Sequence, residues 1–136
     1  MRRYLLDSGI AAELIARRGL VPARVRAAQA RGDRVGLCTP ILAELAGGVA
    51  NSNSPELNLA ILRTRVANLS LWLFDKAAAY EYGRIYADLR RHGRPMQVPD
   101  VQMAAIALSL GNCVVVSQDG DLRAVPGLTV EDWSLP

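Results

Sequence analysis

Asp7, Glu44, Asp100 and Asp119 are the residues whose type and setting could do chemistry. Each lies at or near the end of an apolar run or within one. Asp7 closes Tyr4-Leu5-Leu6, and Glu44 sits inside Ile41-Leu42-Ala43-Glu44-Leu45. Asp100 opens the apolar stretch that runs to Leu108, and Asp119 follows Val114-Val115-Val116. Carboxylates at the ends of buried elements are how an α/β domain builds a site for a hard cation. Four like charges drawn together repel, and Mg²⁺ or Mn²⁺ would remove that cost. An ion of this kind can activate water and neutralise a phosphodiester during in-line displacement. The chemistry these acids point to is therefore metal-assisted phosphodiester hydrolysis, the reaction of a nuclease. The plainer reading of Asp100 alone is a helix N-cap, a position that Asp favours.

Other chemistries find less support. There is no Gly-rich phosphate loop of the Walker type and no Gly-x-Ser-x-Gly elbow. The single histidine, His92, has no orienting neighbour in the sequence. Cys38 and Cys113 both lie in apolar runs and read as small core residues; with one His and no Cys pair at ligand spacing, zinc is disfavoured. Phosphoryl transfer of the receiver or phosphatase kind needs an Asp with a partner Lys at a strand end. The only lysine, Lys76, instead follows Asp75 at a helix start.

The elements that must position the acids can be read from periodicity and breakers. Residues 3–7 form a short strand. A helix starts at Ser8 and ends at Gly19, and a second covers about 23–31. Residues 35–38 form a strand. Thr39-Pro40 reads as an N-cap and first helical residue for a helix that stops near Gly47-Gly48. Another helix runs from Pro55 to about residue 68. Leu69 to Phe74 is a continuous apolar run that reads as a strand, and Asp75 caps a long amphipathic helix over 76–91. Asp100 starts the apolar helix that Gly111-Asn112 ends. Residues 113–117 form a buried strand, 118–122 a turn, and a last short strand precedes Glu131-Asp132-Trp133. Strand and helix alternate throughout, which implies one α/β domain over 1–136 with a mostly parallel central sheet. Trp72 and Trp133 read as core.

The chain has 136 residues, 51% of them hydrophobic, and a formal net charge of +3. That is enough for one domain with a core, and the mild basic excess is compatible with a polyanionic partner. All 16 basic residues but Lys76 are arginine, a residue whose planar fork suits phosphate. The candidates for nucleic-acid contact are Arg17-Arg18, Arg24, Arg26, Arg84 and Arg90-Arg91. The N-terminal apolar run is broken by Asp7 and reads as neither a signal peptide nor a membrane span. The cysteine usage fits a reducing cytosol, so a cytoplasmic location is expected.

The motifs also resemble a known family. Tyr4-Leu5-Leu6-Asp7-Ser8, Thr39-Pro40-Ile41-Leu42-Ala43-Glu44-Leu45, Val98-Pro99-Asp100 with Met103-Ala104-Ala105, Val115-Val116-Ser117-Gln118-Asp119-Gly120-Asp121-Leu122 and Val125-Pro126-Gly127-Leu128 are similar, in order and spacing, to the motifs of PIN-domain proteins, most of all VapC-type toxins of bacterial toxin–antitoxin systems. The resemblance implies a three-layer PIN-like fold and a Mg²⁺- or Mn²⁺-dependent endoribonuclease. It implies Asp7, Glu44, Asp100 and Asp119 as catalytic acids, with Asp7, Asp100 and Asp119 as metal ligands. Asp121 competes for the fourth place, and Ser8 is the small hydroxyl residue that supports the site. It further implies a homodimer, an RNA substrate and a VapB-like antitoxin, with no membrane role. Gly9 stands where the family commonly has Asn, which keeps open a second reading as a catalytically inactive RNA- or protein-binding module.

Overall fold

The computed structural model describes residues 1–136. Five strands form one sheet: β1 (Arg3–Leu6), β2 (Arg34–Cys38), β3 (Ser70–Trp72), β4 (Cys113–Val116) and β5 (Thr129–Glu131). Their order is β3-β2-β1-β4-β5, and every neighbouring pair is parallel, so the sheet is wholly rather than mostly parallel. Six α-helices connect them: α1 (Ser8–Ala16), α2 (Val21–Ala30), α3 (Thr39–Ala50), α4 (Pro55–Val66), α5 (Lys76–Arg91) and α6 (Val98–Leu110). Parallel strands need right-handed crossovers. The path β1→β2→β3 runs one way along the sheet and β3→β4→β5 runs back. That places α1–α4 on one face and α5–α6 on the other, a three-layer arrangement. The direction changes between β1 and β4, the point at which open α/β sheets place their ligands.

The core follows from these layers. β1 and β4 bury Tyr4, Leu5, Leu6, Val114, Val115 and Val116. Helix α6 turns Met103, Ile106 and Ala107 into the core at the sheet, and Val101, Ala104 and Ala105 toward Ile85 and Leu89 of α5. It is buried on most sides, as its apolar sequence requires. Trp133 is core, tilted against Tyr4 with ring centroids 4.8 Å apart, and Trp72 packs against the core while partly exposed. Both cysteines are free thiols; burial pushes Cys38 up to about 11 and Cys113 up to about 12, which keeps them protonated and unreactive.

Several boundaries differ from the sequence reading. The residue that turns left-handed to end α1 is Arg17, with φ 56°, two residues before Gly19. Helix α2 starts at Val21, so Pro22 lies in its first turn, where its missing N–H costs nothing. Thr39 is the first helical residue of α3 and Cys38 holds the cap position; the Thr39 hydroxyl instead accepts the Phe74 amide at 3.1 Å and ties α3 to the chain after β3. Helix α3 runs through Gly47-Gly48 to Ala50. Helix α4 stops at Val66. The apolar run 69–74 yields only a three-residue edge strand; Leu71 is 48% and Leu73 61% exposed. The turn expected at 118–122 is a 3₁₀ helix over Gly120–Ala124.

β2 and β3 meet at Gly36, which pairs with Ser70. A Cβ on Gly36 would fall within 2.9 Å of the carbonyl carbon and Cβ of Ser70, and closer still to its carbonyl oxygen. That neighbour is backbone, so it cannot swing aside. We expect Gly36→Ala to destabilise the fold by roughly 2–3 kcal/mol, a cost of the overpacking kind. Urea denaturation checks it, and an unchanged midpoint would mean that the β2–β3 spacing is looser than described.

Candidate active site

The acids are brought together by strand register. Leu6 pairs with Val116, and Val116 with Glu131. The next residue on each strand is Asp7, Ser117 or Asp132, so these three side chains stand in a row at the carboxyl rim. Backbone bonds extend the ladders one step beyond the strands, Asp7 N–H to Val116 O at 3.0 Å and Ser117 N–H to Glu131 O at 2.9 Å. Asp7 is also the N-cap of α1, its Oδ1 accepting the Ile10 amide at 2.8 Å.

Ser117 is the one buried polar residue of the chain, 2% exposed. Its hydroxyl donates to Asp7 Oδ2 and accepts the Asp119 amide at 2.9 Å. One hydroxyl thus fixes the second oxygen of Asp7 and the backbone of Asp119. Asp119 in turn caps the 3₁₀ helix, its Oδ1 accepting the Asp121 amide at 2.9 Å.

Asp100 is not a cap. Helix α6 begins at Val98 with Gln97 in the cap position, and Asp100 is its third residue. Its carboxylate caps nothing and projects into a cavity of about 490 Å³ that Asp119, Asp121 and the segment Pro95 to Val98 also line. Burial pushes Asp100 above the ordinary carboxylate range, and the charges of Asp119, Glu44 and Asp7 push it further. Burial likewise raises Asp7; the Ser117 and Ile10 bonds work against this, and the charges of Asp119 and Asp132 reinforce it. None of these carboxylates forms an ion pair with Arg, Lys or His.

Glu44 stands apart. It is exposed on α3 and borders a groove of about 590 Å³ between α1, α3 and α4, lined by Ile15, Leu45, Val49, Ile61 and Leu62. Its charge still reaches Asp100. A second hollow of about 590 Å³, between α1, α2 and α4, holds none of the acids. Ser8 is half-buried at the start of α1, and the hydroxyl that bonds Asp7 belongs to Ser117. Sequence reading missed Ser117 and Asp132 as neighbours of Asp7. The signal was available in their positions, each the first residue after a strand beside or near β1. A Cβ at Gly9 would lie 3.8 Å from Asp7 Oδ1, an ordinary contact, so the position faces the acid site. Of the arginine candidates, Arg84 pairs with Glu81, Arg91 with Asp88, Arg24 donates to Leu135 O, and Arg90 lies over the Tyr86 ring.

The donors are all carboxylate oxygens, the set a hard cation takes. No three His, Cys, Asp or Glu side chains stand close enough together to hold a metal ion by themselves. An open, acid-walled cavity suits an ion such as Mg²⁺, which keeps several waters and takes few protein ligands, and suits a caged ion such as structural zinc poorly.

Comparison with known proteins decides the family. The PIN domain family model matches residues 4–128. The tRNA(fMet)-specific endonuclease VapC of Shigella flexneri is 33% identical over 135 residues, covering 98% of this chain and all of that protein. The chain belongs to the PIN-domain family, in its VapC branch. A second VapC relative, ribonuclease VapC2 of Haemophilus influenzae, is 29% identical and covers 98% of this chain and 99% of its own. Among solved structures, that of a DNA-bound VapBC from Salmonella typhimurium superposes with a TM-score of 0.89 at 30% identity, covering 98% of this chain and 99% of that one. The fold is also that of the VapBC2 from Rickettsia felis, TM-score 0.90 at 22% identity and 96% coverage of this chain and 98% of that one.

Two expectations concern this VapC-family site. Ser117→Ala leaves Asp7 Oδ2 and the partly buried Asp119 amide without their partner, so we expect a loss of about 1–3 kcal/mol. Chemical denaturation reads it, and a neutral result would show that water replaces the hydroxyl. Asp100 with a raised pKa opposes folding when ionised, because its burdened charge exists above its folded pKa and disappears below its unfolded one. Without divalent ions, Asp100→Asn should therefore melt higher than wild type near neutral pH. The gap should close as pH falls through the raised Asp100 pKa toward the ordinary carboxylate range. Thermal melts between pH 4 and 8 in EDTA test this; a wild type that melts above the mutant at neutral pH would contradict it.

Proposed function

We propose that this chain is a divalent-metal-dependent endoribonuclease that acts as the toxin of a toxin–antitoxin pair. The observation that carries the reading is the shared field of Asp7, Asp100 and Asp119 at the β1/β4 switch point, with no basic side chain paired to any of them. The names of the relatives, tRNA(fMet)-specific endonuclease and ribonuclease, support RNA as substrate and tRNA(fMet) as the first RNA to test. We assign Asp7 and Asp100 as the principal holders of Mg²⁺ or Mn²⁺, and Asp119 as the third acid. Asp119 takes this place before Asp121, because its charge reaches both Asp7 and Asp100. When bound, the ion supplies charge neutralisation at the phosphodiester and a more acidic water.

The chain's own residues do the rest. Ser117 and the Ile10 amide lock the Asp7 carboxylate in one orientation, so little is reorganised when the substrate arrives. Asp100 keeps both oxygens free of protein donors and open to the cavity, where burial and the neighbouring acids burden its charge and favour a cation beside it. Glu44 lies at the border of the apolar groove and adds negative field at Asp100. The inactive-module reading rested on Gly9; Ser117 supplies Asp7 with the support that an amide at position 9 would otherwise give, which favours activity.

A solved relative from Mycobacterium tuberculosis is a member of the VapBC family of toxin–antitoxin systems, and we propose a VapB-like antitoxin as the partner of this chain too, with homodimerisation, one domain over 1–136 and a cytoplasmic location. No helix is long and apolar enough to cross a membrane.

The test is cleavage of tRNA(fMet) and total RNA by the purified, antitoxin-free protein. We expect cutting with Mg²⁺ or Mn²⁺ and none in EDTA. Asp7→Asn and Asp100→Asn should each reduce the rate by at least about 10²-fold, the scale on which a lost electrostatic contact at a reacting centre is felt. Asp119→Asn should cost more than Asp121→Asn. Metal-independent cutting, or full activity in the Asp100 variant, would refute the assignment.

A further inference from the structure

A wall of carboxylates repels the phosphate backbone it is meant to cut, so something nearby must hold that backbone. A smaller cleft of about 210 Å³ adjoins the acid cavity. The two share Pro95, Met96 and Asp121, and the cleft adds Gly93, Arg94 and Ala124. Arg94 is the one cation on the lining of either. Its side chain is exposed, and it enters no ion pair, although Asp121 lines the same cleft. The basic side chains just before it are engaged elsewhere: Arg91 faces Asp88, His92 Nδ1 lies 2.8 Å from Asp88 O, and Arg90 lies over Tyr86.

The backbone that carries Arg94 is held on three sides. Its amide donates to Leu89 O at 2.8 Å, closing α5. Gly93 before it takes φ +66°, a conformation that costs glycine little. Pro95 after it fixes its own φ and confines Arg94 to extended conformations. The result is a guanidinium on a rigid perch beside the acids, with its side chain free. A planar fork in that setting matches two oxygens of one phosphate.

We propose that Arg94 is a substrate-anchoring residue, gripping an RNA phosphate next to the one that is cut. This rests on the nuclease reading above. The anchor contributes to substrate binding more than to the chemical step, because it contacts a phosphate whose charge does not change in the reaction.

The experiment is steady-state cleavage of a tRNA(fMet) transcript in Mg²⁺ by the full chain as wild type, Arg94→Ala and Arg94→Lys. We expect Arg94→Ala to raise KM about 10-fold with kcat changed less than about 3-fold, since uniform binding is lost. Lys should restore part of the loss, as a point charge without the fork. The slope of log(kcat/KM) against log salt should be shallower by roughly 0.7–0.9 in Arg94→Ala, one phosphate contact. Equal KM and equal salt slope would overturn the proposal while leaving the nuclease intact. So would a loss confined to kcat, or an Arg94→Lys enzyme no better than Arg94→Ala. A wild type that cuts no RNA would overturn the nuclease reading and the anchor together.

Discussion

A parallel sheet covered on both faces can place charge only at its ends. That constraint governs this chain. The residues of β1 and β4 from Leu5 to Leu6 and Val114 to Val116 are buried, so the first polar side chains these strands can present are Asp7 and Ser117. The register makes them neighbours, and the reversal of winding between β1 and β4 keeps helices from covering the rim there. A single hydroxyl then joins Asp7 to the Asp119 loop. The carboxylates are held near one another by backbone bonds and one serine, against their mutual repulsion.

That balance explains the division of labour among the acids. Asp7 and Asp119 both cap helices and are fixed by those bonds. Asp100 caps nothing, although it was the acid whose sequence setting most suggested a cap. It lies three residues past the cap position, because Gln97 takes the boundary and Pro99 falls within the first turn. A free carboxylate in the first turn of a buried helix is favoured by the helix dipole and burdened by its neighbours. Such a group responds strongly to an added cation.

Much of this was legible in the sequence. The alternation of apolar runs and helical periods gives the α/β class, and the acid-ended runs locate Asp7 and Asp119. The order of the motifs carries the family. What was hidden was set by tertiary contacts. Thr39 looks like a cap, yet its hydroxyl serves Phe74, a residue distant in sequence. Gly47-Gly48 looks like a stop, yet α3 continues through both glycines to Ala50. The run from Leu69 to Phe74 looks like a buried strand, yet β3 is the sheet edge, where only one face is covered. Ser117 could be placed just past a strand from sequence, but its role as a support lies in which strand is its neighbour, and periodicity within one strand does not report that. Glu44 could be placed on a helix from sequence, but its position beside the apolar groove, away from the acid cavity, depends on how α3 crosses α1 and α4.

The proposed nuclease site depends most on a divalent cation shared by Asp7 and Asp100. A crystal soaked in Mn²⁺ and measured near the manganese absorption edge tests it directly. We expect an anomalous peak at the rim between β1 and β4, in contact with carboxylate oxygens of Asp7 and Asp100 and absent from Asp100→Asn. A peak seated at Glu44 in the α1–α3–α4 groove, or no ordered peak at the rim at saturating Mn²⁺, would contradict it.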